Sequence, residues 1–111
     1  MSDGMAEWRR HWGDAEPGPV AQRVLFENDA VRVWEIVLEP GEELAVHTHA
    51  LDYVIVTIES SDMEVRDQHG QRRRTAMAPG EVSWTSVGAG QTHALKNVGT
   101  RRFSNRVIEV K

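Results

Sequence analysis

An antiparallel all-β sandwich or barrel is the fold class the sequence predicts, and two observations carry it. Nine short runs rich in β-branched and aromatic residues follow one another from Val20 onward, and turn-forming residues stand between them at regular intervals. Taken in order, Val24 to Glu27 stops at Asn28-Asp29, and Val31 to Leu38 ends in the Pro40-Gly41 turn. Leu44 to His49 comes next, followed by Tyr53 to Ile58, which stops at Ser60-Ser61-Asp62. Met63 to Arg66 ends at Gln68-His69-Gly70, Arg73 to Met77 at Pro79-Gly80, and Val82 to Ser86 at Gly88-Ala89-Gly90. Thr92 to Val98 ends at Gly99-Thr100, and Phe103 to Val110 is the last run. Glycine supplies positive φ, proline fixes φ, and Asn, Asp and Ser bond their own backbone, so each cluster turns the chain for a stated reason.

Residues 1–19 differ from this pattern. Trp8-Arg9-Arg10-His11-Trp12 fits one helical turn with both tryptophans on one side, and Pro17-Gly18-Pro19 forbids its continuation. The expected organisation is an N-terminal arm over 1–19, helical or disordered, and a β domain over 20–111. Two tryptophans are costly to leave in water, so the arm is expected to pack on the barrel or on a second subunit. His11 reads as a bystander.

At 111 residues the chain is long enough for one core and too short for two. It has no cysteine, which excludes disulfides, thiolate metal sites and cysteine nucleophiles, so a bound metal must be held by nitrogen and oxygen. A net charge of -4 gives no basic footprint for nucleic acid. The one basic run, Arg72-Arg73-Arg74, reads as an edge strand blunted by charge. No segment has the apolar length of a membrane span, and Met1-Ser2-Asp3-Gly4-Met5 has no secretory pattern, so a cytoplasmic location is expected. No internal repeat or low-complexity tract stands out.

Chemistry concentrates in His47-Thr48-His49 and in His93. Strand alternation puts the imidazoles of His47 and His49 on one face, on the order of 7 Å apart along the chain, which is metal-ligand spacing. A His-x-His pair also arises by chance, and the setting is what distinguishes this one. The pair ends a strand opened by Gly41, and His93 lies just beyond the Gly88-Ala89-Gly90 turn in a second strand. His69, at a hairpin tip beside Gly70, reads as a solvated turn residue.

With these residues in place, the chain resembles a small single-domain cupin, a double-stranded β-helix or jelly roll. The first cupin motif has a glycine, five residues, His-x-His, three or four residues, a glutamate and a later glycine. Gly41, His47 and His49 stand in register with it. The second has Pro-x-Gly, two residues, His, three residues and Asn after an earlier glycine, and Gly80, Gly90, His93 and Asn97 stand in register. The resemblance covers residues 25–110. The run from His49 through Val56 looks most like bacterial cupins associated with β-alanine degradation. Three departures stand out: Tyr53 is at the motif glutamate (Val54 at the longer spacing), Gly88 replaces the proline, and Ser60 replaces the closing glycine.

The resemblance implies a jelly-roll barrel in which His47, His49 and His93 hold one divalent transition metal, with their nitrogens converging within about 4 Å. Nitrogen-only ligation suits iron, nickel, copper or zinc, not magnesium or calcium. Tyr53 is expected to enter the barrel, where it either hydrogen-bonds a metal-bound ligand, binds as phenolate or simply narrows the cavity. Asn97 is expected on the His93 face, behind the metal ligands or as a strand-fixing amide. Asp52 is expected at the surface, and Trp34 and Trp84 in core or dimer packing. Arg106 and Asn105 lie on opposite faces of the last strand, whose inward side the sequence leaves open between Phe103/Val107 and Ile108/Val110. Arg106 would clamp a carboxylate if it faced inward, and a surface position is expected. The leading functional expectation is an iron(II)-type oxygenase acting on a small anionic metabolite. Its rivals are a metal-assisted isomerase, lyase or hydrolase, and a non-catalytic small-molecule or metal-binding cupin. A homodimer is expected from the tryptophan arm and the apolar strand from Val31 to Leu38.

Overall fold

The computed structural model describes residues 20–111, so the expected arm with its Trp8 to Trp12 turn lies outside the described residues. Those residues form nine strands: β1 Arg23–Glu27, β2 Val31–Leu38, β3 Glu43–His49, β4 Tyr53–Glu59, β5 Met63–Asp67, β6 Arg72–Thr75, β7 Val82–Thr85, β8 Gln91–Asn97 and β9 Phe103–Val110. Every expected run is a strand. The largest shift is in β6, expected to reach Met77. Its ladder with β5 runs only from Arg66↔Arg72 to Met63↔Thr75, and beyond Thr75 it has no partner.

The strands make two antiparallel sheets, one of five in the order β1-β2-β9-β4-β7 and one of four in the order β3-β8-β5-β6. Strands distant in sequence pair in both, as β2 does with β9 and β3 with β8, which is the double-stranded β-helix or jelly-roll arrangement. Ile36, Leu38, Tyr53, Phe103 and Val107 point inward from the larger sheet and meet Leu44 and Met63 from the smaller one. Fully burying one such side chain contributes about 1.5–3 kcal/mol.

In β9 Phe103, Ser104, Asn105, Val107 and Glu109 are buried, and from Asn105 onward burial alternates, so the choice left open by the sequence resolves with Ile108 and Val110 outward. Arg106 accordingly faces out and pairs with Glu35 at 3.1 Å, which removes it as a substrate clamp. Trp34 packs against the core, with its indole N–H donated to Glu109. Trp84 lies on the outer face, 56% exposed.

The end of β8 is stitched down by Asn97, which is fully buried. Its amide N–H₂ donates to the carbonyls of Leu38 at 2.9 Å and Arg101 at 2.7 Å. Its oxygen accepts from Ser61 Oγ at 2.8 Å and the Gly99 N–H at 3.0 Å. Gly99 is required beside it, because a Cβ there would lie 2.2 Å from Ser61 Oγ and 2.8 Å from the Asp62 nitrogen.

Candidate metal centre

Two adjacent strands of the smaller sheet carry the three histidines. Register pairs His47 with His93 and His49 with Gln91 across β3 and β8, with a bulge in β3 between Leu44 and His47. Cross-strand partners share a face. The ring centroids of His47 lie 4.5 Å from His93 and 4.9 Å from His49, and His49 lies 5.0 Å from His93. Their candidate ligand nitrogens all fall within 4.8 Å of one another. The tightest approach is 3.1 Å, between Nε2 of His49 and Nε2 of His93. The convergence is thus looser across the group than the expected 4 Å, and meets that figure at the His49–His93 pair.

Hydrogen bonding fixes one tautomer. His47 Nδ1 lies 2.9 Å from the carbonyl oxygen of Ala45, which can only accept, so Nδ1 carries the proton and Nε2 presents a lone pair. Burial lowers the pKa of His47, partly opposed by that backbone bond. Burial and the neighbouring His47 bring His49 down to about 3. Burial, then His47, His49 and Arg73, bring His93 down to about 2. Imidazoles held neutral, with ring nitrogens converging within 4.8 Å, are the donor set a transition-metal ion requires. His49 adds a second sign of fit: among the described residues its Nδ1 is buried without a hydrogen-bond partner, so on that side the ring is held by packing. That packing is a stack on Tyr53, with centroids 4.2 Å apart and planes at 26°.

Tyr53 enters the barrel as expected and is 3% exposed. Burial raises its pKa, against opposing effects of Thr85 and Arg73. It is therefore a neutral phenol, and its hydroxyl donates to Gln91 Oε1 at 2.6 Å. Asn97 shares β8 with His93, but its polar atoms all bond the strand ends and loops described above, so of its two expected roles it plays the strand-fixing one. Asp52 accepts from the Val87 N–H at 2.9 Å, and His69 sits in the β5–β6 turn and is not one of the three clustered histidines.

His49 and His93 border a cavity of about 330 Å³ between the sheets. Tyr53, Gln91, Arg73 and Asn105 contribute its polar wall, and Ile55, Met63, Leu95, Phe103 and Val107 its apolar one. Two of these polar residues escape the sequence reading. Gln91 lies two residues before His93, so alternation alone puts it on the ligand face. Arg73 belongs to the run read as a solvated edge. β6 is indeed an edge strand, yet Arg73 is registered opposite Val65, an inward residue, which turns it toward the cavity. Arg73 has no acidic partner among the described residues. Asn105 is 3% exposed, and its Oδ1 is buried without a partner.

No family model matches the sequence. No curated protein matches it either. Solved structures do. A cupin domain from Bordetella pertussis Tohama I is 26% identical, with a TM-score of 0.73 over 89% of this chain and 99% of that one. A conserved protein with a double-stranded β-helix domain from Klebsiella pneumoniae is 21% identical, with a TM-score of 0.63 over 93% of this chain and 85% of its own. A sugar phosphate isomerase of the cupin superfamily from Silicibacter pomeroyi is 18% identical, with a TM-score of 0.54 over 75% of this chain and 52% of its own. The fold is that of cupin domains.

Proposed function

We propose that the protein is a mononuclear metal-dependent cupin whose His47, His49 and His93 hold one divalent transition metal and whose cavity admits a small anionic metabolite. The observation that carries this reading is the convergence of three neutral imidazoles at the wall of a cavity that also holds an arginine, Arg73, with no acidic partner among the described residues. Three neutral ligands leave the ion's charge uncompensated, and Arg73 adds a further positive charge to the same space. Both favour an anion, and the cavity volume suits a compact one.

Within that reading, iron(II) oxygenase chemistry is the specific activity proposed. A bound ion with open positions would supply a Lewis acid and a docking point for substrate and dioxygen. The chain's own residues do the rest. Arg73 holds the anionic end, Tyr53 keeps the His49 ring in place through its stack, and Gln91 orients the Tyr53 hydroxyl. The unpartnered Asn105 Oδ1 offers an acceptor to a hydroxyl or amino group of the substrate. The apolar wall limits water.

One observation favours a second reading, a metal-assisted isomerase, lyase or hydrolase. The cluster contains only imidazoles, and three histidines with an open position suit zinc as well as iron. Elemental analysis of the purified protein, followed by oxygen uptake with the iron-loaded form, separates the readings. Iron with substrate-dependent uptake supports the oxygenase. Stoichiometric zinc or nickel with no uptake supports the second reading. Absence of any metal at stoichiometric level, and failure to bind one on titration, would leave a non-catalytic cupin.

A further inference from the structure

Two opposite charges border the cavity without pairing. Arg73 on β6 has no acidic partner among the described residues, and Glu81, just before β7, has no cationic one. They stand at different depths. Arg73 is in register with Val65 and Val65 with Leu95, which is two residues along β8 from His93, so Arg73 belongs to the row next to the histidines. Glu81 lies four residues, about 13 Å along the strand, from Thr85, the register partner of Tyr53. Because Tyr53 stacks on His49, the positive charge sits at the histidine end of the cavity and the negative charge at the other.

Glu81 heads a polar row. The Thr57 N–H donates to the Glu81 carbonyl at 3.0 Å, which carries the β4–β7 pairing on to these two residues, and Thr57 is in register with Asn105. Thr57 and Asn105 are almost wholly buried, and Thr57 Oγ1 and Asn105 Oδ1 have no hydrogen-bond partner among the described residues. The Glu81 carboxylate has one long contact, accepting from the Ala78 N–H at 3.4 Å. A carboxylate and two unsatisfied oxygens in one row call for a cation rich in donors. Between this row and that of Tyr53 stand Ile55 and Val107, register partners that border the cavity and suit methylene groups.

We propose that the substrate is a zwitterion, with a carboxylate bound by the metal and Arg73, an aliphatic chain along Ile55 and Val107, and a primary ammonium held by Glu81 and Asn105. This names the substrate class of the anion-binding metal site proposed above and rests on that reading. An ammonium brings three donors and a full charge, so Glu81 selects it over a neutral hydroxyl. Contacts of about 2 Å at the metal and about 3 Å at Glu81 leave roughly 8 Å of the 13 Å span, about the length of an extended six-carbon amino acid with its charges at the two ends.

Calorimetric titration of the zinc-loaded full chain with 6-aminohexanoate and with hexanoate tests this, and 4-aminobutanoate with butanoate repeats it at a shorter length. The longer amino acid should bind about tenfold tighter than its matched acid, the gain from one charge-assisted contact, and Glu81→Gln should bring the two affinities together. Glutamine keeps the backbone bond to Thr57 and an oxygen for the Ala78 N–H, so the variant should fold, as its far-UV circular dichroism spectrum will show. A preference at either length that Glu81→Gln removes supports the proposal. Equal affinities at both lengths, or a preference that survives Glu81→Gln, would overturn it. If Arg73→Gln nonetheless weakens hexanoate binding, the anion site stands and only the zwitterion falls. A chain that takes up no zinc, or binds none of the four acids, would overturn the metal-site reading and this inference with it.

Discussion

Strand β8 carries two residues of the second motif, His93 and Asn97, and the structure treats its two ends in opposite ways. At the Asn97 end every polar atom is spoken for: four hydrogen bonds, all to protein groups, join β8 to β2 and to two loops. At the His93 end polar capacity is left over. His93 and His49 turn nitrogens toward each other at 3.1 Å, His49 Nδ1 is buried with no partner, and Arg73 has no acidic partner among the described residues. A protein interior satisfies its polar groups unless something else is meant to, so saturation marks the structural end and surplus the binding end.

The sharpest way to break this comparison is to remove His93. His93→Ala should cost about 100-fold or more in affinity for zinc or cobalt, read by competition with a chromophoric chelator, while lowering thermal stability little in the presence of EDTA. Asn97→Leu should do the reverse. Loss of one partner leaves the Leu38 and Arg101 carbonyls and the Ser61 hydroxyl short of bonds, a cost of about 3 kcal/mol or more in urea denaturation. The protein that remains folded should still bind metal. Comparable loss of metal affinity in both variants would dissolve the distinction between the two ends.

Acid separates the ends further. In the metal-free protein the folded pKa values of His49 and His93, about 3 and about 2, lie below the ordinary 6.5 of an unfolded chain. Below pH 6.5 the unfolded state takes up protons that the folded state refuses, so stability is lost as pH falls toward about 3. Each such histidine contributes up to about 1.4 kcal/mol per pH unit over that window. Denaturant midpoints in EDTA should therefore fall between pH 7 and pH 4, and His93→Gln should flatten the slope, whereas Asn97→Leu should leave it unaltered.

Tyr53→Phe is the mildest change expected. With a neutral phenol donating to Gln91, loss of the hydroxyl should cost about 1 kcal/mol of stability and change metal affinity by no more than a few-fold. A large drop in affinity would show that the phenol oxygen binds the metal.

Strand positions were legible in the sequence because turn residues bracket each run closely, as Pro40-Gly41 and Gly99-Thr100 do. The three histidines were legible because period-two alternation fixes the face of His47 and His49 without knowledge of the partner strand. Arg73 was not, since a run of three arginines has no alternation to read, and its inward turn follows only from registration opposite Val65. The role of Asn97 was illegible for a similar reason. Its four partners come from Leu38, Ser61, Gly99 and Arg101, and two of these segments are far from it along the chain. The face of β9 depended on the partner strands: Asn105 is opposite Ile36, a core residue, and Arg106 opposite Glu35.

Whether the three histidines make one metal site is decided by metal titration of wild type beside His93→Ala. One equivalent of zinc or cobalt per chain is expected at pH 7.5, with cobalt absorption of nitrogen-ligated character, and loss of that binding in the variant. Equal binding by both proteins, or none by either, would contradict it.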